Sequence, residues 1–179
     1  MPKLSWKETQ IFKQLSKKKG EYAENMQSLL KHSSVMKAIE DILDKGGSTP
    51  RNFTLHDSDH SFRVAEKMWS IIPVKTKKIL SEYELGLLLL AAYLHDIGMS
   101  PDFDRVKRHH AFLVSDEKNG LSEDETNDFQ KWIDNDISIK PIDIRKEIVE
   151  DYKISDYILS YYIRHKHNDW SGLWIGENL

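Results

Sequence analysis

Apolar residues recur along this chain at three- and four-residue spacing, and no stretch of useful length alternates in twos. The pattern predicts helices throughout. Ser5 and Glu8 stand at capping-box spacing ahead of Ile11, Phe12 and Leu15, and Gly20 stops that segment. A second helix is expected over 21–31, and a third from near Ser34, carrying Val35, Ile39, Ile42 and Leu43 to a stop at Gly46 and Gly47. The STPRN stretch at 48–52 reads as a loop. From Ser58 the positions of Phe62, Ala65, Met68, Trp69 and Ile72 keep the helical period as far as Pro73. Ser81 and Glu84 form another capping box, and the helix behind it is expected to reach Gly98, with Pro101 beyond. Further helices are expected over 102–116, 123–137, 142–151 and 155–166. Short connections between such helices predict one all-α domain over 1–179, with 85–94 as a central helix apolar on nearly every side.

Composition narrows the class. The chain has 179 residues, 39% of them hydrophobic and 31% charged, which suits a globular core. A formal net charge of −3 provides no global basic field, which argues against nucleic acid as a partner. Lys17, Lys18 and Lys19 form the one compact basic run and read as a solvated helix end. With no cysteine, thiolate metal sites, disulfides and cysteine nucleophiles are excluded. The first residues are polar, and the apolar run at 85–94 falls short of the roughly 20 residues a bilayer span needs. A cytoplasmic protein is expected, with no membrane partner. The acidic stretch over 116–140 lacks the residue ladder of a calcium loop and reads as a solvated insertion.

Chemistry gathers around the eight histidines. His56 and His60 lie four apart at the start of an amphipathic segment, and His95 and Asp96 end the most apolar one. Adjacent residues on an ideal helix point about 100° apart, so that pair makes poor mutual partners there. One reading is structural: His95 meets the last helix carbonyls, and Asp96 caps the following turn. The other is a metal site. A carboxylate at the end of so apolar a helix bears a large desolvation cost unless something compensates its charge. Imidazole nitrogen and carboxylate oxygen together suit Mn, Fe, Mg, Ni or Zn. A second histidine at the head of another helix is what a bridging site requires, and this context favours the metal.

The residues His60-Ser-Phe-Arg-Val64 and Leu94-His95-Asp96-Ile97-Gly98 resemble the signature of the HD-domain superfamily of metal-dependent phosphohydrolases. The longer phrases FTLHDSDHSFRV and LLLLAAYLHDIGMS are most similar to a bacterial subgroup in which the HD domain often precedes a heat-shock-type (GHKL-like) ATPase domain. The resemblance is specific over about 53–100. It implies an HD-type helical bundle, with His60, His95 and Asp96 as ligands of a divalent metal. His56 matches a histidine for which substrate contact, a second metal and a local cap stay open, and substrate contact is carried forward. Arg164, His167 and Ser171 resemble an R-x-x-H-x-x-x-S phrase, which implies a second-metal or phosphate role for His167 and a catalytic role for Asp96, His167 and Arg164. Arg63 and Arg108 are candidates for neutralising substrate phosphate. His109 and His110 follow on the same helix; surface positions are the default for both, with His110 carried as a substrate-binding candidate.

The resemblance also has a gap. The superfamily's closing aspartate has no match before Leu179, so the bundle is expected to lack its C-terminal helices here, as part of a longer protein or as a minimal relative. Asp151, Asp156 and Asp169 are the substitutes within reach. The implied activity is hydrolysis of a nucleotide or related phosphoester. The alternative is a non-catalytic metal- or nucleotide-sensing module that regulates an attached ATPase or a partner protein.

Overall fold

The computed structural model describes residues 4–32, 35–45, 56–100, 103–136 and 152–179. These residues form helices and no strand, as expected of an all-α bundle. In chain order the helices are α1 (Gln10–Leu15), α2 (Glu21–His32), α3 (Val35–Lys45), α4 (Ser58–Ile71), α5 (Val74–Ile79), α6 (Glu82–Leu94), α7 (Phe103–Ser115), α8 (Glu123–Asp136) and α9 (Tyr152–Asn178), with 3-10 turns at Trp6–Glu8 and Ile97–Met99.

Local chemistry sets the starts. The Ser5–Glu8 capping box forms, but it caps the 3-10 turn; Thr9 then receives Phe12 N–H on its hydroxyl at 3.2 Å and opens α1 separately. Asp57 caps α4 by accepting His60 N–H at 2.8 Å. Ser81 and Glu84 cap α6 reciprocally. Gly20 has φ of +105°, a conformation that suits glycine at the α1–α2 junction. Helix α5 has no counterpart in the sequence expectation, because Pro73 reads as a stop when in fact it leads directly into a new short helix. The expected loop at 48–52 and helix over 142–151 lie outside the described residues.

Apolar side chains collect into two cores. The first joins α1, α2, α3 and α4 around α6, through residues such as Ile11, Leu15, Met36, Ile39, Ala65, Leu85, Leu89 and Tyr93. The second joins α7, α8 and α9 through Phe112, Phe129, Trp132, Tyr162 and Trp170. Helix α8 thus presents its carboxylates outward while Phe129, Trp132 and Ile133 are buried, so part of the acidic stretch is core. Helix α6 is less enclosed than its composition predicts: Leu85, Leu89, Ala92 and Tyr93 are buried, but Leu87 is 62% exposed. No described helix is long and apolar enough to cross a membrane.

The two cores meet at the turn after α6. Ile97 packs in the first and Met99 in the second. The sequence places the helix end at Gly98, but α6 ends at Leu94 with His95 as its C-cap, and Gly98 lies inside the 3-10 turn. Its role is close approach. A Cβ on Gly98 would stand 2.1 Å from the His167 carbonyl oxygen and 2.8 Å from Ser171 N, both on the backbone of α9. Helix α9 runs well past the expected 155–166. Gly172 and Gly176 weaken the helix by roughly 1 kcal/mol each. Tertiary packing overrides that penalty, since Trp170 joins the second core and Trp174 and Ile175 pack against the first.

Candidate metal centre

Asp96 sits at the seam between the cores, where each neighbouring element delivers one imidazole. His56 Nε2 and His60 Nε2, from the entry turn and first turn of α4, both lie 3.5 Å from Asp96 Oδ2. His95 Nε2 is 2.8 Å from the same oxygen, and His167 Nε2, from α9, is 3.6 Å from Oδ1. The rings of His56 and His60 are 5.0 Å apart, and those of His60 and His95 5.7 Å. His95 and Asp96 become partners because the helix stops at Leu94: Asp96 has left helical geometry (φ −116°, ψ 16°), and the 100° offset of an ideal helix no longer applies.

Backbone carbonyls orient two of the rings. His95 Nδ1 donates to Ala92 O at 3.1 Å, and His167 Nδ1 donates to Arg164 O. A carbonyl can only accept, so the proton belongs on Nδ1 and Nε2 is directed at Asp96 in both cases. The structural reading of the pair is therefore half met. His95 does contact a helix carbonyl, but Asp96 makes no side-chain cap to the turn that follows. The cap expected of His56 as one alternative is supplied by Asp57 instead.

Charge is unevenly held within this group. Burial pushes the Asp96 carboxyl up, but the His95 hydrogen bond and the surrounding imidazoles outweigh it and hold the group below the usual carboxylate range. The hydrogen bond to Asp96 raises His95, against a smaller effect of burial. Burial and then the neighbouring His56 lower His60, outweighing the attraction of Asp96. The largest compensation of the Asp96 charge within the group is the hydrogen bond with His95.

The donor set suits a divalent metal ion: His56, His60 and Asp96 each offer one ligand atom within 4.8 Å of the others. Nitrogen and oxygen donors of this kind are compatible with Mn, Fe, Ni, Zn or Mg, and the chemistry selects no single one of them. Asp96 is the one carboxylate of that group among the described residues. Of the substitutes for a closing aspartate, Asp151 and the side chain of Asp156 lie outside the described residues. Asp169 is drawn elsewhere, with its carboxylate 2.6 Å from Lys166 Nζ.

The other expected residues distribute around this centre. Arg63 is exposed on α4, close enough for its charge to contribute to lowering His60. Arg164 is exposed on α9 and supplies the carbonyl that holds His167. His110 is half-buried on α7, while the described imidazole contacts around Asp96 come from His56, His60, His95 and His167. Arg108 lines a separate cavity whose walls include none of those five residues.

Two residues were under-read. His109 is only 2% exposed, against the surface position expected of it. It lies among Phe129, Tyr162 and Trp170, and its Nδ1 donates to Arg105 O at 2.8 Å. Helical spacing carries that signal, since His109 falls on the stripe of Val106, Phe112 and Leu113. Ser171 is the second: its hydroxyl accepts Gly98 N–H at 2.9 Å and donates to His95 O at 3.3 Å, tying α9 to the turn that carries the metal candidates.

Comparison with known proteins agrees with this architecture. A family model, HD-CE, matches residues 50–179. The chain belongs to the HD-CE family. No curated protein and no solved structure matches it. The matched span contains every residue of the candidate metal centre and all of α4 to α9. The helical bundle of this HD-CE chain places the imidazoles of His56, His60, His95 and His167 around Asp96.

Proposed function

We propose that this HD-CE chain is a metal-dependent phosphohydrolase acting on a nucleotide or a related phosphoester. The observation that carries the reading is the convergence of four imidazole Nε2 atoms on the two oxygens of Asp96. His56, His60, His95 and Asp96 would hold a divalent cation, and His167 faces the other carboxylate oxygen, on the side where a second ion or a substrate phosphate would be received. The bound cation would acidify water and neutralise phosphoryl oxygen charge, which is the chemistry phosphoester hydrolysis needs.

The chain's own groups prepare that step. Ala92 O and Arg164 O fix the protons of His95 and His167 on Nδ1, so each Nε2 is ready as a ligand without ring rotation. His95 Nε2 would offer its lone pair to a cation held beside the Asp96 carboxylate, whose tendency to stay ionised the His95 hydrogen bond and the surrounding imidazoles support. Arg63, at the exposed flank of His60, supplies charge for substrate phosphate.

A second reading, a metal- or nucleotide-sensing module acting on an attached ATPase or partner protein, draws support from the single carboxylate in the ligand group. One experiment separates the two. Protein stripped with EDTA is assayed with Mn²⁺ or Mg²⁺ against a nucleotide panel and a generic phosphodiester. The hydrolase reading expects turnover that depends on metal and disappears in His60→Ala and Asp96→Asn. Turnover that persists in EDTA or in Asp96→Asn would refute it. Metal binding without turnover on any substrate favours the module.

A further inference from the structure

Buried hydrogen-bonding groups are rarely left without partners, so an orphan that lines a cavity points to what the cavity takes. Two such atoms stand together here. Ser100, only 5% exposed, has an Oγ with no partner, and Arg108 has a buried Nε with none, among the described residues. Both line one cavity of about 180 Å³ beneath the Ile97–Met99 turn, together with Gly98, Arg105, Trp170 and Glu177. Arg105 and Arg108 are three apart on α7 and so share a face. Arg105 is held over the Trp170 ring, 5.3 Å from its centroid, which orders the guanidinium before any ligand arrives. Among the charged residues that line the cavity, two arginines stand against one carboxylate, that of Glu177, so the lining is formally positive, although Arg105 also acts on Glu125 across the adjoining cavity.

We propose that this cavity is a phosphoryl-oxyanion site distinct from the metal centre. A phosphate-type anion has acceptors for two guanidinium forks and for the Ser100 hydroxyl at once, and planar guanidinium groups suit such oxygens better than a point charge does. The charge pattern also confines the anion. The adjoining cavity shares Arg105, Trp170 and Leu173, but there the carboxylates of Asp124, Glu125, Asp128 and Asp169 outnumber the cations Arg105, Lys131 and Lys166. Lys166 is already paired with Asp128 and Asp169, so an anion is favoured at the Arg108 end. His109, between the two arginines in sequence, is kept neutral at ordinary pH by burial and does not enlarge the positive charge. Neither cavity is lined by His56, His60, His95, Asp96 or His167, so binding here needs no metal.

The test uses the full chain freed of metal with EDTA and titrated with inorganic phosphate, followed by calorimetry and by amide chemical shifts. Saturable binding is expected, with shifts centred on Gly98 and Ser100. Arg108→Gln weakens it at least about tenfold, the effect of losing one charged hydrogen-bond donor. Glu177→Gln, at an exposed position where folding is not at stake, tightens it by removing the opposing carboxylate. His60→Ala leaves phosphate affinity as it was. Absence of saturable binding in EDTA overturns the proposal, as does an affinity indifferent to both Arg108→Gln and Glu177→Gln, or one abolished by His60→Ala in folded protein.

Discussion

Replacing Gly98 with alanine tests how the two cores are held in register around Asp96. The new Cβ would lie 2.1 Å from His167 O, 2.8 Å from Ser171 N and 3.0 Å from His167 C, all backbone atoms of α9. Ordinary contact begins at 3.4 Å, so helix and turn must separate by about 1.3 Å along the closest line. No side-chain rotation relieves this. Overpacking of this kind costs about 1–3 kcal/mol. Separation also stretches the 2.9 Å bond from Gly98 N–H to Ser171 Oγ in a buried setting, which adds roughly 1–2 kcal/mol. A total of about 2–5 kcal/mol lowers Tm by roughly 4–20 °C for a chain of this size. The same displacement carries His167 away from Asp96, so metal affinity should fall in protein that is still folded. Differential scanning calorimetry and Mn²⁺ titration below the transition measure the two effects. Gly86→Ala is the control: the three atoms nearest its Cβ would all belong to the Met26 side chain, and a flexible thioether can move aside. If Gly98→Ala melts within a degree or two of the parent and binds Mn²⁺ equally well, close approach of α9 is not what positions His167.

Three further outcomes follow from the same geometry. His56→Ala should weaken Mn²⁺ binding about as much as His60→Ala, by roughly ten- to a hundredfold, because both imidazoles stand 3.5 Å from Asp96 Oδ2; retention of parental affinity in isothermal titration would remove His56 from the ligand group. Adding Mn²⁺ at about 100 times its Kd should stabilise the EDTA-treated protein by about 2.7 kcal/mol, read as a rise in Tm that Asp96→Asn abolishes. Burial lowers His109 from its ordinary value of 6.5, so over the range between the two values the unfolded chain binds its proton more readily than the folded one. Stability from this group is therefore complete above 6.5 and declines as the pH falls below it. Denaturant melts of His109→Phe between about pH 7 and pH 5 should show a shallower decline than the parent, and an identical slope would refute the assignment.

Much of this was legible in the chain itself. Capping boxes at Ser5 and Ser81 and the helical period from Ser58 are local signals, and the helices that follow them formed nearly as spaced. His60, His95 and Asp96 could be singled out because polar groups at the ends of apolar segments violate the surrounding pattern, and because the phrases around them resemble a known superfamily. The misreadings share a cause. The reach of α9 past His167, the helicity of Val74–Ile79 and the burial of His109 each depend on what lies across the bundle. Helix propensity is weak at Gly172 and Gly176, and the packing of Trp170 and Trp174 outweighs it.

Sequence alone therefore determined the all-helical class, the elements around the metal candidates and the chemical character of the donors, because helix period, caps and side-chain identity are properties of neighbours along the chain. Tertiary structure decided which donors meet. His56 arrives on the turn that enters α4, His60 on α4, His95 and Asp96 on the turn after α6, and His167 on α9, joined through Gly98 and Ser171. Spacing in sequence carries no information about distances between separate helices. Those distances are set by the close packing of two cores, and at Gly98 by the absence of a single methyl group.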